Sequence, residues 1–148
     1  MPSTKSSFGY QPEYIGVTPG GLAPSSAKPV AVTVSVIAEA GDQQYTAAQI
    51  MGGMVEHDPS GGAVAAKMPT AAELMAAFNG PVVGSSKDFI LKNTADAAEA
   101  ITITSADAKL VLTSGDTWTI AQNKLRKVRF YVSASDEITA VSLGEDVF

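Results

Sequence analysis

Cysteine is absent from the 148-residue chain. That excludes a disulfide scaffold, a thiolate zinc site, an iron–sulfur cluster and a cysteine nucleophile, and it leaves the redox compartment open. Histidine occurs once, at His57, so two-histidine metal motifs are excluded and any Ser-His-Asp arrangement would rest on that residue. Charge is scarce. Asp, Glu, Lys and Arg make up 17% of the chain, and 15 acids against 10 bases leave a net charge of −5. A chain-wide basic footprint for nucleic acid is therefore missing. No apolar run approaches the roughly 18–20 residues of a membrane span, and the polar start predicts no signal peptide. The glycines form neither G-x-G-x-x-G nor G-x-x-x-x-G-K-[ST], the patterns that cradle phosphates. No serine sits in a G-x-S-x-G elbow.

What is present suits one domain. A chain of this length buries roughly 68–70% of its unfolded surface, enough for a core without staples. Residues 1–29 stand apart. They hold Pro2, Pro12, Pro19, Pro24 and Pro29, and each proline removes a backbone donor and fixes φ, so no helix or central strand runs through them. Yet Phe8, Tyr10, Tyr14, Ile15, Val17 and Leu22 are spread along the segment, whereas disordered tails are poor in aromatics. The expectation is an extended arm that lies either on a foreign surface or back on its own domain.

Residues 30–148 read as mainly β. Val32, Val34 and Val36 alternate with Thr33 and Ser35, the period of a half-buried strand. Further strands are expected at 54–58, 88–93, 100–104, 109–113, 117–120, 125–133 and 137–143. In 125–133, Val128, Phe130 and Val132 take one face, and Lys127, Arg129 and Tyr131 the other. Short strands with turns at this spacing predict an antiparallel sandwich or barrel. One or two short helices interrupt it. Tyr45-Thr46-Ala47-Ala48-Gln49-Ile50-Met51 is echoed 24 residues later by Pro69-Thr70-Ala71-Ala72-Glu73-Leu74-Met75. Each carries a T-x-x-[QE] capping box. Gly52-Gly53 closes the first and Asn79-Gly80-Pro81 the second, as left-handed caps and stops do. The echo fits a duplicated unit or, more simply, two independent uses of one cap.

The candidate chemical groups read as structural. His57 lies between Glu56 and Asp58, which share a strand face that His57 does not; the expectation is a surface or turn-proximal histidine. Asp136-Glu137 and Glu145-Asp146 read as solvated ends. Lys124, Arg126, Lys127 and Arg129 concentrate positive charge. They could meet an acidic partner or a nucleic-acid backbone, but the simpler expectation is a solvated edge strand guarded against pairing, and the overall negative charge disfavours nucleic acid. Trp118, the only tryptophan, is expected in the core. No catalytic, cofactor or metal residues emerge.

From about Thr33 onward the chain resembles a group of small phage and large-virus virion proteins. The resemblance is carried by Tyr45-Thr46-Ala47-Ala48-Gln49 with Gly52-Gly53, by Asp58-Pro59 and by Met68-Pro69-Thr70-Ala71-Ala72-Glu73-Leu74. It continues through Phe89-Ile90-Leu91-Lys92-Asn93-Thr94, Ile101-Thr102-Ile103, Thr119-Ile120-Ala121-Gln122-Asn123, Val132-Ser133-Ala134-Ser135 and Val141-Ser142-Leu143-Gly144. The loop Thr113-Ser114-Gly115-Asp116 is shorter than the glycine-rich turn such proteins carry. The resemblance implies a β-sandwich and a non-enzymatic role as a capsid decoration (cement) protein on the outer surface of the virion. The major capsid protein and neighbouring copies, as trimers, would be the partners, with no membrane partner and no cofactor. A tail-fibre or spike domain is the alternative. Within this reading the arm residues Phe8, Tyr10, Tyr14, Ile15, Val17 and Leu22 are the candidate capsid contacts.

Overall fold

The computed structural model describes residues 31–148. Ten strands and two short helices follow one another along these residues: β1 Thr33–Ala38, β2 Gln43–Gln44, α1 Ala47–Gly52, β3 Gly53–Asp58, β4 Val64–Lys67, α2 Ala71–Ala77, β5 Ser86–Asn93, β6 Ile101–Thr104, β7 Leu110–Leu112, β8 Thr119–Ile120, β9 Lys124–Ala134 and β10 Glu137–Val147. The fold is mainly β, as the alternating segments predict.

The strands form a six-stranded sheet in the order β1-β3-β5-β9-β10-β7 and a four-stranded sheet in the order β2-β4-β6-β8. From β1 to β9 the chain crosses to the other sheet after every strand. Successive passes stack. β1, β3 and β5 are parallel neighbours in one sheet, and β2, β4 and β6 are parallel neighbours in the other. Only β5–β9, β9–β10 and β6–β8 are antiparallel. This corrects the antiparallel expectation. Parallel neighbours need a long crossover rather than a hairpin, and here the crossover is the trip through the other sheet and a capped helix.

The echoed sequences occupy equivalent steps of that stack. Gln44 pairs with Lys67, and Tyr45 N–H donates to the Lys67 carbonyl at 2.9 Å as Met68 N–H donates to Thr104 at 2.8 Å. Pro69 is an extra residue before the second cap. Both capping boxes close. Thr46 accepts from Gln49 N–H and Thr70 from Glu73 N–H, with the Gln49 and Glu73 side chains returning to the cap amides. The echo is therefore one structural unit used twice. α1 ends on Gly53 at φ +100°, a left-handed position glycine adopts without a Cβ penalty. Thr70→Ala should lower stability by about 1 kcal/mol, read as a shifted urea midpoint; an unchanged midpoint would show that α2 does not depend on its cap.

One core lies between the sheets and helices. Ile50 and Leu74 enter it from the helices. Val55, Phe89, Leu91, Val128, Phe130, Val132, Ile138 and Ala140 enter from the larger sheet, and Val64, Ala66, Ile101, Ile103 and Ile120 from the smaller. The expected phase of 125–133 holds, with Val128, Phe130 and Val132 buried. Trp118 packs against the core half-buried and donates from Nε1 to the Thr113 carbonyl at 3.1 Å.

Candidate interaction surface

The arm residues Phe8, Tyr10, Tyr14, Ile15, Val17 and Leu22 lie outside the described residues. Within the body, several expected placements change.

His57 is not at the surface. Its exposure is 0%, because the face that Glu56 and Asp58 leave to it is the core face of β3. It stands in register between Ile37 of β1 and Asn93 of β5. Its Nδ1 lies 2.7 Å from the buried Tyr45 hydroxyl, while Nε2 meets no well-aligned hydrogen-bond partner among the described residues. Burial pulls the imidazole below its ordinary value of 6.5 and pushes the Tyr45 phenol up, so both groups are held neutral. Asn93, one step along, is fully used. Its amide donates to Glu99 and Ile120 carbonyls at 2.9 and 3.0 Å, and its Oδ1 accepts from Ala95 N–H at 3.0 Å. These polar groups tie successive passes of the chain together.

The basic run is not on an edge. β9 is internal to the sheet, between β5 and β10; Lys127 and Arg129 are exposed on its outer face and Arg126 is buried, and all four cations have acidic partners. Arg126, 5% exposed, donates to Glu145 at 3.0 Å, Ser142 Oγ at 2.7 Å and the Thr119 carbonyl at 3.1 Å. Lys124 also reaches Glu145, at 3.5 Å. Glu145, exposed near the end of β10, is thus also a partner of two cations. On the outer face, Asp88 accepts from Arg129 at 2.6 and 2.9 Å and lies 3.4 Å from Lys127. The Arg129 hydrogen bond holds the Asp88 carboxyl below its ordinary range. Asp136 remains at the surface, paired with Lys109 at 2.8 Å.

Val34 and Val36 of β1, and Val32 just before it, face outward, against the expectation. Ile37 sets the phase. It packs on the core and carries Ser35 to the same side, opposite Val55. Val32, Val34 and Val36 are left 60%, 48% and 72% exposed. Val34 is in register with Met54, and Met54 with Ile90, so an apolar row runs inward from the sheet edge across the outer face. Beyond it stand the pairs Lys92–Glu56 at 2.9 Å and Asp88–Arg129, with the Lys92 ammonium 4.1 Å above the Phe148 ring. Contiguous exposed apolar surface rimmed by charge marks an interaction site. The alternation of β1 was legible in the sequence; its phase was not, because valine at every second position outweighs one isoleucine.

A hollow of about 300 Å³ is lined by Ala98, Glu99, Ala100, Ala121 and Gln122. Its carboxylate is Glu99, which accepts from Gly61 N–H at 2.8 Å. Among the described residues, no group of three or more His, Asp or Glu side chains is placed to hold a metal ion. No family model, curated protein or solved structure matches the chain.

Proposed function

We propose that this chain is a virion structural protein, a capsid decoration (cement) protein that binds the outer surface of the head shell and bridges neighbouring capsomers. The observation that carries the reading is β1. This strand presents two exposed valines, Val34 and Val36, with a third, Val32, just before it, and no charge. In the sequence, a proline-broken segment with spaced aromatics precedes this apolar strip. The sequence resemblance supports the same role, with copies set as trimers against the major capsid protein.

Ordering about thirty arm residues costs roughly 1–2 kcal/mol each in backbone entropy, so the arm needs strong anchors. Fully burying each of Phe8, Tyr10 and Tyr14 is worth roughly 1.5–3 kcal/mol. Deleting residues 1–28 should leave a folded domain with nearly the same melting temperature, because the core among the described residues is drawn from Tyr45 to Ala140. The same deletion should sharply weaken binding to particles stripped of this protein, and Tyr14→Ala alone should weaken it measurably. A truncated chain that binds as tightly as the full chain would contradict the assignment of the arm as the anchor.

A further inference from the structure

Besides its valine face, β1 has a backbone edge that no strand among the described residues pairs, which is a separate surface. β1 is the outermost strand of the larger sheet, with β3 as its neighbour. Proteins guard such edges with charge, proline, bulges or very short strands. The sequence TVSVIA of β1 has no charge and no proline, and its register with β3 is unbroken from Thr33 to Ala38. The other edges are short. β7 is three residues long, and β2 and β8 are two each. Among the described residues, β1 is the one long unguarded edge.

We infer that β1 is a self-pairing edge: two copies of the chain join β1 to β1, antiparallel, across a two-fold axis, and their larger sheets become continuous. The net charge of −5 opposes self-association, but β1 itself carries no charge to oppose it. Pattern favours a second copy at this place. An axis normal to the sheet keeps inward residues opposite inward residues, so the register must be centred on a residue. Centred on Ser35, Val34 faces Val36 of the second copy and Thr33 faces Ile37. Directly opposed β-branched pairs of this kind stabilise a sheet, and Glu39 falls beyond the paired stretch, opposite Ala31. The contact is pairwise and adds to a trimer rather than replacing it. It concerns the edge, not the face, and stands without the shell reading.

The cysteine-free chain makes the test clean. Single cysteines are placed in the full chain at Thr33, Val34, Ser35, Val36 and Ile37, with Gly62→Cys as an exposed control, since nothing lies within 4 Å of a Cβ there. Opposed residues of an antiparallel pair have Cα atoms about 4.5–5.5 Å apart, within disulfide reach. Under mild oxidation at high protein concentration, disulfide-linked dimer should peak at Ser35→Cys. Adding Val34→Lys and Val36→Lys, both at exposed positions, should cut that yield about tenfold by setting lysines opposite each other. A peak elsewhere, equal yields at every site including the control, or no dimer at all would overturn the proposal.

Discussion

Phe130→Ala should destabilise the protein by about 3–5 kcal/mol, a large part of the roughly 5–15 kcal/mol that holds a domain folded. Phe130 is buried at the centre of β9. β9 pairs with both β5 and β10 over most of its length, so a cavity there is felt on both sides. Its ring lies 6.2 Å from Phe89, and Phe89 lies 6.5 Å from Tyr45. The aromatic chain therefore joins β9 to the first passes of the stack, and neighbouring strands held in register cannot collapse into the gap. Urea denaturation checks it. A variant that melts within a degree or two of the parent would show that this ring does not hold the sheets together.

The second large effect belongs to His57. Truncating it to alanine removes a fully buried ring and leaves the Tyr45 hydroxyl without its partner at 2.7 Å. The combined cavity and lost hydrogen bond should cost about 2–4 kcal/mol, where a surface histidine would cost less than about 0.5 kcal/mol. The pH dependence carries the same signature. His57 titrates below its ordinary 6.5 in the folded state. As pH falls past that value the unfolded chain takes up a proton that the folded chain resists. Stability is thus complete above about pH 6.5 and declines below it by up to about 1.4 kcal/mol per pH unit. Asp88, Asp116 and Asp136 are held below their ordinary 3.8, so their contributions are lost only in stronger acid. Urea midpoints between pH 5 and 7.5 separate the two windows. The decline between pH 6.5 and 5 should vanish in His57→Ala. A parent protein with flat stability across that range would contradict the buried, neutral imidazole.

His57 also shows how legibility in the sequence depends on context. The alternation that sets Glu56 and Asp58 on one face and His57 on the other is plain, and it assigns His57 to the side of Val55. What the local pattern lacks is the knowledge that this side is the core, which Tyr45 and Asn93 supply from other passes of the chain. Arg126 is the same case. Its phase matches Val128 and Phe130, but its burial depends on Glu145, 19 residues away. The N-caps were readable because a capping box is satisfied within four residues; the left-handed stop expected at Asn79-Gly80 does not close α2, which ends at Ala77 on an extended Phe78. The strand β4 was missed because alanine at two of its four positions gives little β signal. Parallel pairing was missed because register between passes leaves no local mark. The outward valines of β1, the feature on which the functional reading turns, follow from the single inward Ile37.

The central claim is that this chain coats a capsid, and the most direct test is its copy number in the particle that carries it. Gel densitometry against the major capsid protein measures it. The expected result is a copy number in step with the capsomers, and retention of the shell's resistance to heat or low ionic strength only while the protein is bound. A copy number confined to a few per particle, with no loss of shell stability when it is removed, would contradict the cement role and point to a tail fibre or spike.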